Sequence, residues 1–189
     1  MPFVEAQVTS RPKTNNEGNA VMAKEKTLED LFHDTLKDIY YAERKILKAL
    51  PKMKRAAQSD ELKAAFEKHQ QETEGQIERL QQVFELLGKR AQGKTCDAIE
   101  GIIAEGEEIM DEFKGTQALD AGLISSAQAV EHYEITRYGT LKRWATELGM
   151  DDAAKLLDAT LQEESKTDSD LTKLAYSSAN DRAKSKKVA

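Results

Sequence analysis

Phe66-Glu67-Lys68-His69-Gln70-Gln71-Glu72-Thr73-Glu74-Gly75-Gln76 is the stretch whose reading decides the fold. Leu62 and Phe66 lead into it and Leu80, Val83 and Leu87 lead out at steps of three and four, the spacing of one helical face. The positions that continue this stripe through the stretch are His69, Thr73 and Gln76, with Glu72 beside the seam. A core stripe that turns polar in its middle needs a reason. An unpartnered carboxylate buried there would cost several kcal/mol, so a proton, a basic side chain or a metal ion must neutralise it.

Working outward, the 189 residues suffice for one well-packed domain, and 10 Gly with 3 Pro give little material for a turn-rich β fold. An all-α chain is expected. Charged residues make up 33% of the sequence with both signs interspersed, and a net charge of −6 argues against a general nucleic-acid binder. Cys96 has no cysteine partner, which fits a reducing compartment. The sequence contains no apolar run long enough to span a membrane and no secretion-type leader, so no membrane association and a cytoplasmic setting are the expectations.

Residues 1–24 contain Pro2, Pro12, Gly18 and Thr14-Asn15-Asn16 without an apolar period, and they read as a flexible extension in which Met22 is a plausible shorter start. The folded domain is expected over 25–179. Thr27-Leu28-Glu29-Asp30 resembles a capping box and opens a first helix whose inward stripe is Leu28, Leu31/Phe32, Thr35/Leu36, Ile39, Glu43, Ile46/Leu47, Leu50 and Met53, with a kink expected at Pro51. Ser59 restarts the chain as a second helix that ends at Gly88, making an antiparallel hairpin. Residues 89–117 form a long crossover in which Thr95 is expected to cap a shorter helix carrying Ile99, Ile102, Ile103, Met110 and Phe113. A second hairpin follows: one helix from Leu119 to Gly149 with Glu134, Tyr138 and Leu141 on its stripe, then one capped by Asp151 with Leu157, Leu161, Glu164, Asp168 and Leu171. The polar stretch 180–189 reads as a flexible tail.

The two hairpins repeat each other. Glu43 lies 15 residues before the middle of the first turn at position 58 and Glu72 lies 14 after it; Glu134 lies 16 before position 150 and Glu164 lies 14 after it. One acid per long helix at matching height supports a pseudo-twofold four-helix bundle with carboxylates meeting at its centre. Facing carboxylates raise one another's proton affinity. Two divalent ions would satisfy them, and iron, manganese and zinc accept mixed carboxylate and imidazole ligands. His69 and Glu131 stand one turn from Glu72 and Glu134, and Asp168 one turn beyond Glu164. The candidate ligands are therefore Glu43, Glu72, Glu134 and Glu164, joined by His69, Glu131 and Asp168. A proton-sharing or salt-bridged polar core is the alternative for the acids. His69 reads equally as a ligand or a hydrogen-bonded core histidine, His132 as a surface or interface residue, and Tyr40, Tyr41, Tyr133 and Tyr138 as aromatic packing at the level of the acids, with phenols bonded to metal-bound carboxylates or relaying an electron as the alternative.

From about Thr27 to Ser178 the chain resembles the bacterial YciE/YciF-type ferritin-like, or rubrerythrin-like, stress protein family. The resemblance rests on Tyr41-Ala42-Glu43, His69-Gln70-Gln71-Glu72-Thr73 with Gln76, Val130-Glu131-His132-Tyr133-Glu134-Ile135, Tyr138-Gly139-Thr140-Leu141 and Glu163-Glu164. It implies an up-down-down-up ferritin-like four-helix bundle of two hairpins joined by the crossover, a homodimer, and a dinuclear metal site, iron first, that handles iron, oxygen or peroxide in a stress response. The sequence departs from the common ferritin-like Glu-x-x-His pattern, since Gly75 follows Glu72 and Thr167 follows Glu164 at that spacing. Without rubredoxin-like cysteine pairs, electrons would come from another protein or a small reductant. The rival reading is a non-enzymatic helical interaction protein with a polar or zinc-filled core.

Overall fold

A computed structural model describes residues 25–184, which form helices joined by turns and links with no strand among them. The expected extension 1–24 and residues 185–189 lie outside the described residues. Thr27 starts α1 (Leu28–Ala56) with a complete capping box: its side chain accepts from Asp30 N at 3.2 Å while the Asp30 carboxylate accepts from Thr27 N at 2.9 Å. The helix runs through Pro51, whose missing N–H leaves one carbonyl of the preceding turn without its donor. Ser59 caps α2 (Asp60–Leu86) by accepting from Leu62 N at 3.3 Å. Gly88 then leaves the helix at φ +63°, in the left-handed region that glycine enters most readily.

The shorter helix α3 (Asp97–Glu112), about 24 Å long, lies in the crossover. Two expected caps are corrected here. Cys96, not Thr95, occupies the cap position of α3, and Met150, not Asp151, that of α5 (Asp151–Leu174). Neither cap makes a side-chain hydrogen bond. At α5 the left-handed Gly149, φ +71°, closes the preceding turn with Met150 N donating to Ala145 O at 2.8 Å, so Met150 is the last residue before the helix and Asp151 falls inside the first turn. Three apolar side chains read as inward are also exposed: Leu28 and Leu31 in the first turn of α1, where no other helix among the described residues covers them, and Phe113 at the end of α3. The tail is also more structured than expected, for beyond Leu174 the chain continues through a π-helical segment, Ala175–Ala179, into a short helix, Asn180–Lys184.

α4 (Leu119–Glu147) completes the set. Short turns join α1 to α2 and α4 to α5, and within each hairpin the helices pack together; α2 also packs on α5 and α1 on α4, while α3 lies against α4 and α1. Each of the four long helices thus touches two others around a shared interior. Phe32, Leu36, Phe66, Phe84, Leu123, Leu141 and Leu157 fill it above and below a polar middle. Asp120, buried at the start of α4, accepts from Gln58 N at 2.7 Å and Ser59 N at 2.9 Å, so the second hairpin closes the open turn of the first. No helix among the described residues is long and apolar enough to cross a membrane.

Candidate functional site

The polar middle is assembled from all four long helices: Glu43 of α1, His69 of α2, Glu131 and Glu134 of α4 and Glu164 of α5 are all buried. Each reaches the interior for the same reason as its apolar neighbours, since it occupies a stripe position that helical geometry turns inward. One ligand atom each from His69, Glu131, Glu134 and Glu164 lies within 4.8 Å of the others. His69 Nδ1 stands 3.0 Å from Glu131 Oε1 and its Nε2 3.8 Å from Glu164 Oε2. Glu43 adjoins them and accepts from the buried Tyr138 hydroxyl.

Most of these atoms have no hydrogen-bond partner. Both carboxylate oxygens of Glu131, Glu134 and Glu164, one each of Glu43 and Glu72, and His69 Nε2 are buried without one. A buried polar atom left so costs about 1–3 kcal/mol, and a charged one more. Burial, reinforced by neighbouring carboxylates, pushes Glu43 and Glu131 up to about 8, and Glu134 and Glu164 well above the ordinary carboxylate range. Burial and the charge of Glu43 push the Tyr138 hydroxyl up as well.

The donor set suits a divalent ion. Oxygen and nitrogen ligands at about 2.0–2.2 Å from one centre stand no more than about 4.4 Å apart, so the four atoms need close in only slightly. Two small openings approach the cluster. A cavity of about 30 Å³ between α1, α3 and α4, lined mainly by apolar side chains such as Ile46, Met53, Ile103 and Val130, reaches His69 and Glu131. A more polar one of about 90 Å³ between α2 and α5, lined in part by Lys68, Glu72 and Asp170, reaches His69 from the other side.

Of the seven residues singled out from sequence, the structure brings Glu43, His69, Glu131, Glu134 and Glu164 together. Glu72 stands at the edge, its side chain 24% exposed and paired with Lys68. Asp168 stands farther out, accepting from Gln128 Nε2 at 2.9 Å, with exposed His132 Nε2 3.3 Å away. Gln76 turns from the cluster and donates to Glu163 Oε2 at 3.2 Å. Of the four tyrosines, Tyr138 alone bonds a cluster acid: Tyr40 receives a hydrogen bond from Gln81, Tyr41 donates to Glu100, and the Tyr133 hydroxyl lies 3.1 Å from Cys96 Sγ. That Tyr138 faces the acids was open to sequence reading, because it follows Glu134 by four residues on the inward stripe. Its bond to Glu43 and the role of Asp120 were not, since their partners lie 95, 61 and 62 residues away.

Comparison with known proteins adds a lineage to this geometry. Residues 27–184 match the family described as "Domain of unknown function (DUF892)". Protein YciF of Escherichia coli K12 is 45% identical over 162 residues, covering 85% of this chain and 98% of that protein. The crystal structure of the E. coli stress protein YciF aligns with a TM-score of 0.78 at 44% identity, over 86% of this chain and all of that one. YcfI from Rhodopseudomonas palustris aligns with a TM-score of 0.76 at 48% identity, over 78% of this chain and 94% of that one. The chain belongs to the DUF892 family, in the company of YciF.

Proposed function

We propose that this chain is a ferritin-like stress protein whose helical bundle holds two divalent metal ions, iron first and manganese or zinc as alternatives, at the buried acid cluster. The observation that carries the reading is the set of buried carboxylate oxygens without partners around His69 Nε2. The ring of contacts among the long helices supports an up-down-down-up bundle, and the description of YciF as a stress protein supports the setting. His69, Glu131, Glu134 and Glu164 would hold one ion, with Glu43 and Glu72 contributing to a second.

Bound iron would supply electron exchange with oxygen or peroxide, giving a ferroxidase or peroxide-consuming activity. The chain's own residues neutralise the ions' charge, fix their separation and keep bulk water out. Tyr138 orients Glu43 through its hydroxyl. A homodimer, a cytoplasmic location and an external small reductant or redox protein belong to the same proposal.

One observation favours a rival. His69, 3.0 Å from Glu131 and 3.8 Å from Glu164, can bridge the two acids in a metal-free core, and the protein would then work by binding partners. Metal analysis of untagged protein, before and after anaerobic loading with ferrous iron, decides between them. About two ions per chain, lost in Glu134→Gln, are expected. A folded protein that takes up no metal after loading overturns the metal reading and leaves the bridge.

A further inference from the structure

The link between α2 and α3 contains Gly88-Lys89-Arg90-Ala91-Gln92-Gly93-Lys94-Thr95, the G-x-x-x-x-G-K-[ST] spacing of a phosphate-binding loop. In that motif the loop follows a strand and its amides wrap the phosphates. Here it follows a helix, and its amides are engaged elsewhere: Lys89 N donates to Phe84 O at 2.9 Å and Lys94 N to Lys37 O at 3.1 Å. Gly93 is pressed flat against α1, where an added Cβ would stand 3.1 Å from Tyr41 Cβ. The segment is therefore no amide cradle. Its fixed position instead makes it the wall of a cleft.

The opposite wall is one stripe of α1, Tyr41, Arg44, Lys45 and Lys48, and together with exposed Arg90 and Gln92 of the link it borders a half-open cleft of about 440 Å³. That volume lies within the range of about 300–1,000 Å³ typical of small-molecule sites. Lys45 is satisfied, lying 2.8 Å from Glu100, which also accepts from Tyr41. Arg44 lies over the Tyr40 ring at 5.7 Å. No carboxylate among the described residues pairs with Arg44, Lys48 or Arg90. Three cations without a carboxylate partner among the described residues thus border one concavity on a chain of net charge −6, where scattered pairing is the rule. Two of them are guanidinium groups, whose planar fork matches a phosphate edge. Their mutual repulsion is relieved by an anion of several charges placed between them.

We propose that this cleft binds a small ligand carrying a chain of phosphate groups, gripped by the side chains of Arg44, Lys48 and Arg90. The site is separate from the acid cluster and stands whether or not that cluster holds metal. The test is calorimetric titration of the full chain with inorganic tripolyphosphate and, in parallel, with ATP, both free of magnesium and at fixed low salt. Saturable binding at one site per chain is expected, weakened about tenfold or more in Arg90→Ser and in Lys48→Ser, and kept within about twofold in Lys155→Ser on α5. Circular dichroism checks that these surface variants remain folded. ATP binding about tenfold tighter than tripolyphosphate assigns nucleoside phosphates; equal affinities assign the phosphate chain alone. Absence of saturable binding, insensitivity to both cleft variants, or an equal loss in Lys155→Ser overturns the proposal, the last because it would mark general charge attraction.

Discussion

Glu43 in the first hairpin and Glu134 in the second hold matching positions and are both fully buried, but their counterparts on the following helices differ. Glu164 is buried completely, whereas Glu72 keeps 24% of its side chain in solvent and pairs with Lys68. Three residues before each acid the repeat breaks again. Tyr40 stands where the second hairpin has Glu131, and His69 stands where it has Leu161. A strict duplication would have set four equivalent acids around an axis with no basic group among them. The two exchanges supply one imidazole and give it an acid partner, so the polar centre is displaced toward α4 and α5, which contribute three of the four clustered residues. The turns differ in the same sense. The second closes on its own left-handed Gly149, while the first depends on Asp120 of the second hairpin.

The most sensitive probe of this displacement is pH. Burial without a bound ion pushes Glu43 and Glu131 up to about 8, from the 4.5 of an unperturbed glutamate. Between those values the folded chain holds protons that the unfolded chain has released, so stability is expected to fall as pH rises from about 5 to about 8, by several kcal/mol for the coupled acids together. Bound divalent ions should flatten that slope, because they take over the neutralising role. Urea midpoints across the range, with and without metal, measure it. A flat metal-free profile would mean that the acids are not buried against one another and would remove the contrast with Glu72.

Next in size, Glu164→Gln should weaken retention of the metal about 100-fold or more, and Glu72→Gln less than about tenfold, in competition with a chelator. Equal losses would restore the symmetrical site that duplication alone implies. Asp120→Ala should cost about 2–3 kcal/mol in urea unfolding, since it strips a charged acceptor from two backbone amides of the first turn. A cost below about 0.5 kcal/mol would show that the first turn needs no help. The smallest effect belongs to the second turn: Gly149→Ala forces a side chain into φ +71° and is expected to lower stability by about 1 kcal/mol.

Much of this was legible in sequence because helical periodicity is local. The stripe Leu62, Phe66, His69, Thr73, Gln76, Leu80 and Val83 is the buried face of α2 as read, and Glu43, Glu134 and Glu164 reach the interior by the same rule. Glu72 and Asp168 show its limit. Each is one helical step off a buried position, Thr73 and Thr167, and that rotation brings them to the rim where Lys68 and Gln128 compete for them. Cap residues were legible only where the side chain decides the turn, as at Thr27 and Ser59. At α5 the backbone of Gly149 decides it, and the Asp151 signal is spent inside the helix. Contacts such as Asp120 with the first turn and Tyr138 with Glu43 join residues 61 to 95 positions apart, and no local pattern encodes them.

The division of the cluster between hairpins also bears on how the molecule assembles. Glu43 and His69 belong to one hairpin, Glu131, Glu134 and Glu164 to the other, so the first hairpin closes without crowding its acids while the second brings three of them together by itself. Closure of the first hairpin can therefore run without regard to pH or metal. The electrostatic cost falls on closure of the second and on the docking that adds Glu43, and protons or cations enter those steps as reactants.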